Sequence, residues 1–268
     1  MRLSRSLFFL YLLWIAPPSF AAGIFNINYI DPNNLSGAIP QNLANEMVKM
    51  FGIYAAHRPY SGATSIGHVN SLDFVIETSL VKLGSGLIDA LKADGIAGSP
   101  IAVPAVPMAK IQIRKALGER ADFGISGLYY RKQSVIGGDL KIVLQDAEEG
   151  VSVALRLGFT YSEVPYAYIK NCSTYSPEVV ISQRMSFAEP YLGIGGRYIT
   201  GTILVPFQGS PPFFPNFSVE KSGHGATGYA FTGVFFRILG AQGLRLGIEG
   251  SYDLSGFDTM GAVVGFGF

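Results

Sequence analysis

The feature that most constrains this chain is a strict alternation of apolar and polar residues over stretches of about ten residues. In residues 151–161, Leu155 and Leu157 share one face of an extended strand, while Arg156 lies on the other face. Residues 244–253 alternate in the same way. A tilted strand of this length crosses a bilayer with one face toward lipid and the other toward a polar interior. A helix would spread the charges around its circumference, so the pattern predicts transmembrane strands.

Eight further stretches alternate in this way, which gives ten strands in total. They are residues 71–82, 107–116, 121–131, 139–145, 175–185, 189–200, 227–237 and 257–268. Short connections alternate with longer ones along the chain, and in such barrels the short turns face the periplasm. The sequence therefore predicts an all-β, transmembrane, antiparallel up-and-down β-barrel of about ten strands. Twelve strands would result if residues 51–60 and part of 101–106 joined the wall.

The composition agrees with a membrane barrel and excludes several other classes. Hydrophobic residues make up 49% of the chain and charged residues 15%, and the mean hydropathy of +0.31 is high for a water-soluble protein of this length. The net charge of +1 provides no basic surface, so we expect no nucleic-acid partner. A single cysteine excludes both an intramolecular disulfide and a cysteine-rich zinc site.

The longest apolar run has the layout of a secretory signal peptide. Residues 7–16 are apolar, whereas a membrane helix needs about 20 such residues. Arg2 and Arg5 precede the run, and the small residues Ser19 and Ala21 fit cleavage after Ala21. We therefore divide the chain into a signal peptide over residues 1–21, an N-terminal periplasmic segment over residues 22–70 and the barrel over residues 71–268.

The segment before the barrel does not alternate and has a helical pattern instead. Leu43, Met47 and Phe51 recur at helical spacing, which predicts a short helix over residues 40–51. Two placements are open at this point. The helix either plugs or gates the barrel from the periplasm, or it caps the lower rim by burying Leu43 and Met47. A second short helix is expected over residues 86–94.

Aromatic residues mark the two edges of the predicted membrane band, because tyrosine favours the membrane–water interface. Phe123, Phe235, Phe266 and Phe268 have the outward phase toward the periplasmic rim, where they are expected to form a lower girdle. A soluble β-sandwich, the alternative fold, would bury its aromatic residues along the strands. The outward residues at the predicted outer ends of the strands are Tyr129, Tyr161, Tyr175, Tyr198, Tyr229 and Tyr252.

The inward face of the predicted strands contains seven cations and six anions. Charges buried in a narrow barrel need partners, so this near balance favours a salt-bridged interior that seals the barrel. The alternative is two ladders of opposite charge across a narrow aqueous channel, and inward glycines such as Gly193 and Gly267 favour some open space. The cations are Lys110, Arg114, Lys141, Arg156, Arg184, Arg197 and Arg245, and the anions are Asp73, Glu77, Asp122, Glu178, Glu249 and Asp253.

The last ten residues, TMGAVVGFGF, alternate and end on phenylalanine, and they resemble the final strand of Gram-negative outer-membrane β-barrel proteins. Together with residues 152–160 and 190–196, they are similar to an uncharacterised family of such barrels, over roughly residues 51–268. The resemblance implies an outer-membrane location, contact with outer-membrane lipid, and recognition of Phe266 and Phe268 by the barrel assembly machinery. It implies no catalytic residues.

Catalytic chemistry has little support in the sequence. Of the three histidines, His57 and His68 precede the first strand and are expected on the periplasmic side. His224 lies in a glycine-rich outer loop without an orienting partner. We therefore expect no enzyme activity, no metal and no cofactor.

The expected function is a porin-like or gated passage for small solutes or for a hydrophobic ligand. A structural or surface-binding barrel that acts through its outer loops is the alternative, since residues 205–217 contain many aromatic side chains that must pack on something. A lipid-modifying enzyme at the outer rim is a third hypothesis.

Overall fold

The structure is a computed structural model that describes residues 40–67, 71–82, 105–130, 133–146, 150–164, 169–207, 217–238 and 243–268. The predicted signal peptide, the predicted helix over residues 86–94, His68 and most of the aromatic-rich outer loop lie outside these residues. Within them, no helix is long and apolar enough to cross a membrane.

The described residues form one helix and ten strands. Each strand pairs antiparallel with its two neighbours, and the first strand pairs with the last, so the sheet is a closed barrel. The predicted ten-stranded up-and-down barrel with a short N-terminal helix is thereby confirmed. The elements are α1 (Gln41–Ala55), β1 (Leu72–Lys82), β2 (Ala105–Ala116), β3 (Ala121–Tyr130), β4 (Gln133–Gln145), β5 (Val151–Val164), β6 (Ile169–Gln183), β7 (Ala188–Phe207), β8 (Phe217–Ile238), β9 (Leu244–Asp253) and β10 (Asp258–Gly267).

The two ends of the barrel sheet meet in a regular antiparallel ladder. Asp73 of β1 lies opposite Gly267 of β10, and the N–H groups of Leu72 and Phe268 donate to each other's carbonyl oxygens at 3.0 and 2.8 Å. A closed barrel leaves no edge strand with unpaired backbone groups, which a strand in hydrocarbon could not tolerate.

The wall is apolar outside and polar inside. In β5, the side chains of Leu155, Leu157 and Phe159 are exposed, whereas Ala154 and Arg156 are buried. A soluble sandwich would bury the leucine face and leave the arginine in water. The observed arrangement, apolar outside and polar inside, is the one that a transmembrane barrel has.

Two neighbouring strands are much longer than predicted. β7 and β8 have 20 and 22 residues and pair along their full length, from Ala188 opposite Phe236 to Phe207 opposite Phe217. Most of the predicted loop over residues 201–226 is therefore strand. Alternation does not mark this extension, because outside the membrane a strand needs no apolar face toward lipid, and because α1 packs against its inner face.

Residues 40–67 of the predicted N-terminal segment lie inside the barrel, which differs from a periplasmic position and from a cap on the lower rim. α1 ends four residues later than predicted, and its buried residues, among them Leu43 and Met47, face β6, β7 and β8. Residues 56–67 continue without regular secondary structure and are buried among the strands. We call residues 40–67 the plug segment.

Strand β8 has the opposite phase from the prediction. Tyr229 and Phe235, which were expected to face lipid, are only 5% and 4% exposed and lie in a buried cluster within the lumen. Phe231 lies opposite Gly193 and Tyr229 opposite Gly195 on β7, so the missing side chains of β7 leave space for the rings. Both faces of β8 are apolar or small along this stretch, and therefore no charge marked the inward phase.

The inward phase of β8 can be tested at Gly193. A Cβ atom there would collide with the ring of Phe231 and lie 2.7 Å from the backbone oxygen of Val179. We expect Gly193→Ala to lower the free energy of unfolding by about 1–3 kcal/mol, because overpacking forces neighbours to shift. Gly250 is a matched outward control, since no atom lies within 4 Å of a Cβ there.

The measurement is urea unfolding of the refolded barrel in lipid vesicles for Gly193→Ala and Gly250→Ala. Gly250→Ala should unfold like the parent protein. Equal stability of the two variants would show that Phe231 does not face the lumen.

Candidate functional site

The lumen contains the predicted charged residues, and twelve of the thirteen are buried. Arg184 is the exception: it follows β6, is half-buried, and donates from Nη2 to the carbonyl of Ser65 at 3.4 Å. The prediction missed Asp139, Glu189 and Arg237. Asp139 and Glu189 are the first residues of their predicted strands, and Arg237 is on β8, whose phase was wrong. Together with the predicted residues they make eight cations and eight anions, and Lys221, which is half-buried opposite Ile203 in the extended part of β8, also has the inward phase.

Opposite charges pair between strands instead of forming two separate ladders. Each of the seven inward pairs found in the described residues joins two different strands, so these pairs tie the wall together around its circumference. The two-ladder arrangement is therefore wrong. The pairs are Lys110–Glu77 (3.2 Å), Arg114–Asp139 (2.6 Å), Lys141–Asp122 (2.8 Å), Arg156–Glu178, Arg197–Asp253 (3.1 Å), Arg237–Glu189 (3.0 Å) and Arg245–Asp73 (3.1 Å).

Two of these pairs span a strand that contributes only a glycine at the crossing. Arg114 of β2 reaches Asp139 of β4 over Gly124 of β3, where a Cβ atom would collide with the carboxylate and lie 3.0 Å from the guanidinium. The pair between β9 and β1 crosses Gly267 of β10 in the same way. The space at Gly124 and Gly267 is therefore filled by ion pairs and that at Gly193 and Gly195 by aromatic rings, whereas the sequence favoured some open space there.

The tyrosines of the predicted outer girdle, apart from Tyr229, lie on the outer surface. Tyr129, Tyr175, Tyr198 and Tyr252 are exposed. Tyr161 is half-buried, and its hydroxyl donates to Glu163 at 2.6 Å and contacts the side-chain oxygen of Asn171 at 3.0 Å. At the opposite rim Phe123, Phe266 and Phe268 are exposed, whereas Phe235 is buried in the lumen.

The irregular part of the plug segment offers its carbonyl groups to cations of the wall. Lys110 Nζ donates to the carbonyl of Ala56 at 2.7 Å, and Lys141 Nζ donates to that of Thr64 at 2.5 Å. Arg156, which already pairs with Glu178, donates from Nη1 to the carbonyl of Ser61 at 3.2 Å. These contacts satisfy peptide groups that no secondary structure satisfies.

The plug segment in turn donates to acids of the wall. Ser65 Oγ donates to Asp122 at 2.8 Å, and the backbone N–H of Ile66 donates to the same carboxylate. Thr64 donates to Glu189 from both its N–H, at 3.1 Å, and its hydroxyl, at 2.7 Å. Both acids keep a cationic partner within the wall at the same time, so the plug segment adds to the wall network without replacing it.

His57 joins the plug segment to three strands. Its Nδ1 is 2.7 Å from Ser126 Oγ, its Nε2 is 2.6 Å from Asp139 Oδ1, and its backbone N–H donates to Thr160 Oγ1 at 2.8 Å. The sequence placed this histidine on the periplasmic side, and the structure places it in the lumen. Only a contact between residues far apart in the chain brings it to Asp139, so local patterns gave no signal.

The arrangement of Ser126, His57 and Asp139 has the partners of a hydrolytic triad. The His57 and Asp139 side chains are 1% and 0% exposed, and Arg114 also holds the carboxylate, so a substrate does not reach the group while the plug segment is in place. In this geometry the three side chains anchor the plug segment to the wall. Within the described residues no group of three or more His, Cys, Asp or Glu side chains could hold a metal ion.

Tyr60 is the apolar anchor of the plug segment. Its ring is fully buried in a cluster with Val75, Phe231 and Val263, and a Cβ atom at Gly261 would collide with its hydroxyl. Tyr60 has a φ of 48°, in the left-handed region that few non-glycine residues adopt. The plugged state therefore stores some backbone strain at this residue.

α1 approaches the wall closely where the wall lacks side chains. Val48 packs on Gly201 of β7 and Gly223 of β8, where Cβ atoms would lie 3.1 and 2.9 Å from its methyl groups. The thiol of Cys172, the single cysteine of the chain, is buried beside it, with Sγ 3.8 Å from the carbonyl oxygen of Val48. The helix is thus seated against the extended strands by small residues.

A shallow groove of about 700 Å³ lies on the outer surface of β6, β7 and β8. Gly196, Ala226 and Gly228 contribute small residues to it, and Tyr175 and Tyr198 of the outer girdle also line it. The site therefore presents an apolar surface at the height of the predicted outer interface.

The wall network can be tested at Arg156. Arg156→Ala would leave Glu178 buried without its cation, and we expect the free energy of unfolding to fall by about 3–5 kcal/mol. Lys82→Ala is the control, because the Lys82–Asp258 pair is exposed to solvent and should contribute about 1 kcal/mol or less. Denaturant unfolding of both variants in vesicles measures the difference. An Arg156→Ala protein as stable as Lys82→Ala would contradict a paired wall.

No family model matches this chain, and no curated protein matches it. Several solved outer-membrane barrels are similar to it. Three of them are the N-terminal β-barrel domain of Pseudomonas aeruginosa OprF (12% identity, 75% of this chain and 100% of that chain, TM-score 0.34), the outer membrane protease OmpT from Escherichia coli (10%, 74% and 94%, 0.36), and Ail, the attachment invasion locus protein of Yersinia pestis (11%, 74% and 98%, 0.28). At these values the likeness concerns the barrel fold alone.

Proposed function

We propose that this protein is a bacterial outer-membrane β-barrel in which the plug segment gates a passage for small polar solutes. The observation that supports a gate is the division of contacts in the lumen. The charges of the wall pair with one another, whereas the irregular part of the plug segment is held mainly by hydrogen bonds from its peptide and hydroxyl groups.

This separation of wall ion pairs from plug hydrogen bonds lowers the free-energy cost of moving the plug segment out of the lumen. Water can take over each hydrogen bond to a plug carbonyl, and the net contribution of such a bond from a charged donor to stability is about 1.5–3 kcal/mol. The wall pairs stay together when the plug segment leaves, and Asp139, which then loses His57, keeps Arg114, so no acid of these pairs is left without a cation. The strained backbone of Tyr60 can relax at the same time.

The lining also supports the class of solute. A lumen with nearly equal numbers of inward cations and anions has no dominant sign of charge, so the passage should discriminate weakly between small anions and cations. A barrel of ten strands has a small diameter, which restricts the passage to small molecules.

A disulfide tether between α1 and the wall tests the gate in the full chain. The Val48 side chain packs on Gly201, which lies opposite Cys172 in the β6–β7 ladder, so Val48→Cys brings a second thiol close to Cys172, and oxidation should then fix the plug segment in the lumen. We expect discrete conductance steps in planar bilayers from the reduced protein under applied voltage, and no steps after oxidation. Val48→Cys combined with Cys172→Ser is the control, since it cannot form the tether and should conduct under both conditions.

A chain that lacks residues 22–66 provides the complementary measurement, and it should conduct without closing. If the folded deletion variant and the reduced full chain are both silent, the passage does not exist, and the structural or surface-binding barrel becomes the better hypothesis.

A second candidate function is binding of a hydrophobic ligand, and the outer groove on β6, β7 and β8 favours it. Gly196→Leu would fill this groove without collision, because the nearest atom to a Cβ there lies at 3.9 Å. We expect this change to abolish binding of a fluorescent fatty acid to the purified barrel, whereas Gly250→Leu, on the outer surface away from the groove, should retain it. Equal binding by both variants would exclude the groove as the site.

A further inference from the structure

The direction in which the plug segment runs through the barrel is set by contacts at its two ends. At its start, Gln41 Nε2 donates to the carbonyl of Ser222 at 2.8 Å, and the side chain of Asn45 accepts the N–H of His224 at 3.1 Å. Ser222 and His224 lie in the first third of β8, close to the connection from β7. α1 therefore begins at the end of the barrel where β7 passes into β8.

The end of the plug segment lies at the opposite rim. Ile66 and Ser65 bind Asp122, the second residue of β3, which follows the turn from β2. Thr64 binds Glu189, the second residue of β7, which follows the turn from β6. The segment thus passes through the lumen from one rim to the other, and β1 then begins at the rim that the segment has reached.

The lengths of the connections orient the two rims relative to the membrane. The rim at the end of the plug segment has only short connections, over residues 117–120, 146–150, 184–187 and 239–243. The rim at its start has the connections over residues 83–104 and 208–216, as well as the overhang of β7 and β8. In outer-membrane barrels the short turns face the periplasm and the longer connections face outward.

We infer that the start of α1 lies on the outer face of the outer membrane, so that the chain enters the lumen from outside and passes inward to the periplasmic start of β1. This inference rests on the proposed outer-membrane function. It makes the plug segment an additional crossing of the membrane, with its N-terminal end and the C-terminal Phe268 on opposite sides. It also makes the start of the plug segment, where Gln41 and Asn42 are exposed, the part of the gate that an external partner can contact.

Cysteine accessibility on intact cells tests this topology. All variants have Cys172→Ser, which removes the native buried thiol. Asn42→Cys reports on the start of α1. Leu254→Cys reports on the turn between β9 and β10 at the same rim, where Leu254 is 75% exposed. Gly118→Cys reports on the turn between β2 and β3 at the opposite rim, where no atom lies within 4 Å of a Cβ. A membrane-impermeant maleimide is applied to intact and to lysed cells, and the barrel fold is verified by its heat-modifiable gel mobility.

We expect Asn42→Cys and Leu254→Cys to be labelled on intact cells to the same extent, and Gly118→Cys only after lysis. Labelling of Leu254→Cys but not of Asn42→Cys on intact cells would overturn the inference and leave the outer-membrane barrel standing. Labelling of Gly118→Cys alone would show that the barrel has the reverse orientation, which also overturns it. Labelling of all three only after lysis would contradict the outer-membrane location itself.

Discussion

The structure depends on pairing charged side chains inside a ring whose outer surface is apolar. A strand that crosses lipid must turn its polar face inward, and in a barrel of ten strands that face is too confined to leave charges unpaired. The ion pairs solve this by linking different strands, as in Lys141–Asp122 between neighbours and Arg245–Asp73 across β10. Gly267 of β10 belongs to this arrangement, because a side chain there would occupy the space of the Arg245–Asp73 pair.

The polar wall in turn allows an irregular chain to lie at membrane depth. Peptide groups without secondary structure are tolerated in a membrane only where protein or water satisfies them. Lys110, Lys141 and Arg156 do this for the carbonyls of the plug segment while they keep their acidic partners. The wall therefore holds the plug segment through hydrogen bonds that water can replace, and the proposed gate depends on this property.

The sequence predicted all ten strands and most of the lumen charges, and its errors have physical reasons. The phase of β5 was correct because Arg156 marks its inner face, whereas β8 has no such charge between Gly228 and Phe236, and its aromatic rings suit either side. Asp139 and Glu189 were missed because each is the first residue of its predicted strand, where an alternating pattern is least defined. The His57 contacts join residues more than 60 positions apart, which no local pattern can show.

The sequence by itself determined the closed antiparallel wall, since period-two alternation is a local property that records which face of each strand meets lipid. Only the tertiary structure decided where the non-alternating N-terminal segment lies, because its helical spacing is equally compatible with a plug and with a cap. It also decided which charges pair and which glycines pack against aromatic rings, because both depend on the register between strands. Closure of the barrel fixes that register and brings distant residues to the same level of the lumen.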